Sequence, residues 1–138
     1  MDLVLKRPTT KEFEQIKNYI QQLELDNRNL KQAQFIVATS NKKVVGFGRL
    51  LQLTDCMELC SLGVVPLYRR KGIGKKIIGE LISQTSQPIY LVSIIPDFFL
   101  LFGFKKTENY PTTIQSKLIY CANVLADTEE YVVMRLAD

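Results

Sequence analysis

The chain has 138 residues, 46% of them hydrophobic, and a net charge of +4. That is the size of one ordinary domain with a sizeable core, and this balance of hydrophobicity and charge excludes a disordered chain. The basic excess suits an anionic ligand, while the complete absence of histidine excludes every mechanism that works through imidazole, the Ser-His-Asp and Cys-His arrangements included.

Leu3, Val4 and Leu5 predict a short first strand that ends before Pro8. Thr9-x-x-Glu12 is a capping box and predicts a helix starting near Thr9 or Thr10. Phe13, Ile16, Tyr19, Ile20 and Leu23 follow at helical spacing. Residues 24–31 are polar and read as a second short helix or a loop. Residues 35–38 and the run from Val44 to Gly48 flank the turn formers Ser40-Asn41-Lys42-Lys43 and predict a hairpin. A further strand is expected over residues 56–65, ended by Pro66. Ile73, Ile77, Ile78, Leu81 and Ile82 share one face of a helix that starts at Ile73. Residues 89–92 read as a short buried strand, and residues 96–102 as a helix with Pro96 in its first turn. Gly103 would end that helix, Phe104 would open a strand, and residues 131–136 would form the last one.

This order predicts an α/β (α+β) single domain over residues 1–138, with a mixed, mostly antiparallel sheet and flanking helices. A helix between the strands at 56–65 and 89–92 implies a right-handed parallel crossover. The three cysteines, Cys56, Cys60 and Cys121, are an odd number, which argues against a disulfide framework and fits a reducing compartment. With no histidine to join them they cannot complete a four-ligand structural site, so no metal is expected. The first residues lack the apolar stretch of a secretory signal, and no run of about 18 apolar residues is present. The expected location is cytoplasmic, with no membrane partner.

The segment from Val64 to Lys76 carries the chemistry. It joins a strand to a helix start, and it holds Arg69, Arg70, Lys71, Gly72, Ile73, Gly74, Lys75 and Lys76. A helix start offers unpaired N–H groups and the positive end of the macrodipole. Glycine lets a phosphate approach the backbone, and the Arg and Lys side chains add charge-assisted hydrogen bonds. The arrangement reads as a diphosphate cradle. Neither the P-loop string nor the Gly-x-Gly-x-x-Gly fingerprint is present, because Ile77 stands where the third glycine would be. A solvated basic loop with a helix-capping glycine is the bland alternative. Nucleic-acid binding is the lesser choice, because only Tyr68 interleaves an aromatic among the cations.

The string L-x-V-x-P-x-x-R-R-x-G-x-G, supplied here by Leu62, Gly63, Val64, Val65 and Pro66 and then Arg69 to Gly74, resembles the coenzyme A loop of the GNAT acetyltransferase superfamily. Val45-Gly46-Phe47 looks like that family's central hairpin, and Phe98 to Phe104 looks like its late helix with a terminal Gly-Phe. The resemblance implies acetyl-CoA as cosubstrate, bound by Leu62, Gly63, Val64 and residues 69–75. It also implies a parallel strand pair that splays apart around the pantetheine arm. Glu58-Leu59, Phe98-Phe99 and Pro111 followed by Tyr120-Cys121 are similar to the N-acetylglutamate synthase branch. The amino-acid-kinase domain often joined to such synthases is absent from this sequence.

Transfer to an amine requires loss of the ammonium proton, stabilisation of the thioester oxygen and departure of the thiolate. Glu58 is the candidate base. It alternates with Cys60, Leu62 and Val64 on one strand face, and a partly buried carboxylate gains basicity. An exposed strand-end glutamate is the rival reading, while the resemblance favours the base. The family's usual acid is a tyrosine four residues before the Gly of Gly-Phe, where this chain has Phe99. Tyr110, Tyr90 or Ser93 could substitute, Tyr110 being the catalytic candidate and a surface tyrosine its rival reading. A backbone N–H of residues 62–65 is the expected oxyanion donor. Arg49 and Lys117 are either partners for an acceptor carboxylate or solvated charges, and Cys121 reads as a small buried hydrophobe.

The expected function is acetyl-CoA-dependent N-acetylation of the primary amine of a small molecule, with an amino acid such as glutamate as the first acceptor to consider. The rivals are a protein lysine or N-terminal acetyltransferase and a non-catalytic acyl-CoA-binding module. The expected assembly is a monomer or homodimer.

Overall fold

Thr9 opens the first helix of this protein. In the computed structural model, which describes residues 2–124 and 130–138, its side chain accepts from the Glu12 N–H at 3.2 Å while the Glu12 carboxylate accepts from the Thr9 N–H at 2.9 Å. Two helix-end donors are thereby satisfied. Burial pushes the Glu12 carboxyl up, but hydrogen bonds from Lys6 and the Thr9 backbone outweigh it and hold the group below its ordinary value.

The described residues gather into two compact units. One runs to Leu50 and includes Cys60–Thr85, and the other comprises Leu51–Leu59 and the chain from Ser86 onward. The first unit holds β1 (Leu3–Lys6), α1 (Thr10–Gln22), β2 (Phe35–Ser40), most of β3 (Lys43–Gln52), the later part of β4 (Met57–Val64) and α2 (Ile73–Ile82). Its strand order is β1-β2-β3-β4. β2 and β3 form the expected hairpin, closed by Ser40↔Lys43. Asn41 and Lys42 turn it with φ of 50° and 64°, the left-handed pair that a two-residue hairpin loop requires. The stretch at 24–31 is a loop, followed by a 3-10 turn at Gln32–Gln34.

Both faces of β3 are buried. Phe47 joins Ile16, Ile20, Phe35, Val37 and Val44 in a core that α1 covers. The other face packs on α2, where a methyl added at Gly46 would lie 3.0 Å from both Ile73 Cγ2 and Ile77 Cδ1. The glycine lets the helix settle close to the strand.

Arg49 of β3 is completely buried. Its Nε donates to Ser61 Oγ at 3.1 Å, and its Nη1 donates to the Arg28 carbonyl at 3.1 Å and to Gln34 Oε1 at 3.2 Å. Asp26 Oδ1 stands 3.9 Å from Nη2. The expectation that Arg49 meets an acceptor carboxylate therefore gives way: its guanidinium ties the 24–34 loop to β3 and β4.

The second unit orders its strands β4-β5-β7-β6, where β5 is Ile89–Ser93, β6 is Phe104–Lys106 and β7 is Val132–Leu136. β4 and β5 are parallel, pairing Met57↔Ile89 and Glu58↔Tyr90, while β7 pairs antiparallel with β5 and with β6. The mixed α+β fold and the parallel crossover are as the sequence predicts. The late helix, α3, is shorter than expected at Pro96–Leu100, and Gly103 follows it with φ 91°. A further helix, α4 (Thr112–Val124), was not expected at all. Its Ile114 packs with Cys56, Tyr90 and Val133, and Leu118 and Tyr110 lie against them. No helix among the described residues is long and apolar enough to cross a membrane.

Replacing Arg49 with Ala should lower unfolding free energy by about 3–5 kcal/mol, because it removes one partner of a buried charge network and orphans two loop acceptors. Urea unfolding of the purified variant would measure this. A variant as stable as the parent would deny Arg49 that role.

Candidate active site

The strand-to-helix loop is built from short, stiff pieces. Val65 donates to the Val45 carbonyl at 2.9 Å as β4 ends, and Pro66–Tyr68 makes one 3-10 turn. Arg69 then folds back, its Nε donating to the Val64 carbonyl at 3.0 Å. Arg70 (φ 66°) and Gly72 (φ 78°) both take left-handed backbone, and Gly72 caps the start of α2. The first intrahelical bond is Lys76 N–H to the Gly72 carbonyl, 3.3 Å, so the N–H groups of residues 73–75 lie at the open helix end. A methyl built on Gly72 would touch nothing within 4 Å, which leaves room for a ligand against the backbone. Arg69, Arg70, Lys71, Lys75 and Lys76 are all exposed around it, and Lys71 Nζ stands 5.8 Å above the Tyr68 ring. The Ile73 side chain is 2% exposed, so its contribution to a ligand is confined to its backbone N–H. A diphosphate fits this end, with N–H groups in front and cations on its flanks.

β4 carries the other candidates. Ser61 adopts φ 51° within the strand, a conformation that costs a non-glycine residue about 1–2 kcal/mol. It is held by its hydroxyl donating to the Asp26 carbonyl at 2.9 Å and by the Arg49 Nε bond. The expected regular alternation of Glu58, Cys60, Leu62 and Val64 is therefore interrupted at Ser61. Gly63 is a close-approach position, since a methyl there would sit 2.7 Å from Phe47 Cζ.

Glu58 is 3% exposed. It is not a strand-end surface residue: its Oε2 accepts from Lys117 Nζ at 2.5 Å, and Lys117 itself is 5% exposed. Next to the strand start, burial pushes the Cys56 thiol up, with the Glu58 and Asp55 charges adding to it, so Cys56 is no ready nucleophile.

The acetyltransferase (GNAT) family model matches residues 4–94. The chain belongs to that family. Among solved structures, N-acetylglutamate synthase from Neisseria gonorrhoeae, complexed with coenzyme A and N-acetyl-glutamate, aligns over 100% of this chain at 15% identity with a TM-score of 0.77. That alignment spans only 36% of the synthase, so this chain corresponds to about a third of such a protein. Rv2747 from Mycobacterium tuberculosis, in complex with CoA, aligns over 98% of this chain and 99% of its own at 21% identity, TM-score 0.76. Arabidopsis thaliana Naa50, with the bisubstrate analogue CoA-Ac-MVNAL, aligns over 100% of both chains at 20% identity, TM-score 0.69. At these identities the likeness is one of fold.

Within this GNAT chain the substitutes for the missing tyrosine sit apart in role. Phe99 is core, its ring edge-on to Phe98 at 5.1 Å and to Phe104 at 6.0 Å. The Ser93 hydroxyl accepts from the Ile95 N–H at 2.9 Å. Tyr90 is 7% exposed and lies opposite Glu58 in the β4/β5 register. Tyr110 is half-buried rather than a surface tyrosine, packs on the Cys56–Tyr90–Ile114 cluster and lines a groove of about 610 Å³ with Lys106, Glu108, Leu118 and Tyr131. Lys117, like Arg49, lies where the sequence reading did not place it. Ile114, Leu118 and Cys121 around it already follow the i, i+4, i+7 spacing of a buried helix stripe, and a lysine on such a stripe calls for a buried acid.

Gly72→Asp should abolish most coenzyme A binding in a folded protein, since it strains left-handed backbone and sets a negative charge where the diphosphate would lie. Calorimetric titration of the variant with coenzyme A is the check, and parental affinity would remove the loop from the cofactor site.

Proposed function

We propose that this GNAT chain transfers an acetyl group from acetyl-CoA to the primary amine of a small molecule, with glutamate the first acceptor to test. The observation that carries the reading is the open end of α2, where left-handed Gly72, three backbone N–H groups and exposed arginines and lysines face solvent together. Bound acetyl-CoA would supply an activated thioester. The N–H groups of residues 73–75, with Arg69, Arg70, Lys71 and Lys75, would hold its diphosphate, and the backbone of Leu62, Gly63 and Val64 would receive the rest of the arm. An N–H of that same stretch is our candidate for stabilising the oxyanion.

Glu58 is assigned as the base that takes a proton from the acceptor ammonium, directly or through one water. Its burial supports this role, because a desolvated carboxylate reserved by a single lysine is already organised before the acceptor arrives. Tyr110 remains the candidate for returning a proton to the thiolate.

A second reading, an acceptor on a peptide or protein N-terminus, gains from two observations. Both cations first considered for an acceptor carboxylate, Arg49 and Lys117, make internal contacts. Naa50, whose bound analogue ends in the string MVNAL, also matches this chain from end to end.

Two outcomes test the proposal. Glu58→Gln should lower kcat by about 10²-fold at neutral pH with little change in KM for acetyl-CoA, and the loss should shrink at high pH, where the amine deprotonates unaided. Because the substitution also removes the counter-charge of Lys117, the folded fraction is measured beside the rate. In direct competition, glutamate should show a higher kcat/KM than spermidine or a lysine- or N-terminus-bearing peptide. A peptide in first place would move the acceptor to the second reading.

A further inference from the structure

We infer that Lys117 is a positioning residue for the Glu58 base, an inference that rests on the proposed role of Glu58. Lys117 lies on the buried stripe of α4 with Ile114 and Cys121, and it is itself only 5% exposed. An ammonium there loses its hydration and persists only with a partner of opposite charge. That partner is the Glu58 carboxylate, 2.5 Å away and itself 3% exposed. The contact spans 59 positions of sequence, so it is a tertiary device and not a local one. The apolar packing beside it is built by Ile114 of α4, Cys56 two residues before Glu58, and Tyr90, the partner of Glu58 in the β4/β5 register. The other titratable or charged groups of this neighbourhood are Asp55 and Cys56 ahead of Glu58, Tyr90 on β5, Arg135 of β7 over the Tyr90 ring, Tyr110, and Tyr120 on α4. Among the described residues of this neighbourhood, Lys117 is the cation seen in contact with the Glu58 carboxylate. Lys117 thus does two things for the base. It gives the buried carboxylate a counter-charge, and it holds one oxygen so that the other has a fixed direction.

The test is a double-mutant cycle in the full chain with Glu58→Gln, Lys117→Met, both together, and Lys117→Arg. Lys117→Met should reduce kcat by about tenfold to a hundredfold, the scale of a misplaced catalytic group, with KM for acetyl-CoA unchanged. Its acidic limb of kcat against pH should move upward, because a carboxylate that loses a neighbouring cation holds its proton to higher pH. Lys117→Arg should restore much of the rate. The double variant, whose buried pair is neutral and which therefore guards against misfolding, should be no slower than Glu58→Gln alone. A readout independent of turnover is the carbon NMR signal of the Glu58 carboxyl, which should titrate at higher pH in Lys117→Met than in the parent. Multiplying losses, an unmoved NMR titration, or a Lys117→Met effect confined to acceptor KM would each overturn the inference. If Glu58→Gln itself retains full activity, the assignment of the base falls, and the inference with it.

Discussion

A guanidinium taken out of water must find acceptors for its N–H groups, and Arg49 finds them in the 24–34 loop and in Ser61. This one side chain decides the local shape of two elements. It pins a loop whose polar composition gives it no core of its own, and it holds a serine in left-handed backbone in the middle of β4. Left-handed backbone is unfavourable for a serine, and the bonds to Arg49 and to the Asp26 carbonyl are the contacts that offset it at Ser61.

The fold exploits two kinds of buried charge. Arg49 disperses its charge over carbonyls, an amide and a hydroxyl, with a carboxylate at 3.9 Å. Lys117 sets its ammonium directly on a carboxylate, 2.5 Å from Glu58 Oε2. The planar fork of arginine suits the first arrangement, the compact ammonium of lysine the second. The first arrangement belongs to architecture. The second gathers charge at a residue that chemistry can use.

What the sequence made legible follows the same division. The capping box at Thr9, the hairpin turn at Asn41-Lys42 and the glycine that starts α2 depend on a few neighbouring residues, so their physics is local and readable. α4 was missed because its Thr, Ile, Tyr and Val residues prefer strands, and because a lysine interrupts what would otherwise read as an apolar stripe. Arg49 was misread because its partners are mostly backbone carbonyls and a loop amide, which leave no trace in residue spacing. Glu58 could be singled out from its strand position and a family resemblance, but its lysine lay 59 positions away.

That separation bears on how the chain is made. The first unit is assembled from residues up to Thr85, so a ribosome delivers all its pieces early. The second unit begins at Leu51 but draws on the chain from Ser86 onward, and the carboxylate of Glu58 waits for a helix that is synthesised much later. Until α4 emerges, the Glu58 carboxylate lacks the ammonium that faces it in the folded chain. The ion pair between Glu58 and Lys117 therefore closes only once α4 has been made, after all of the sequence that separates the two has been synthesised.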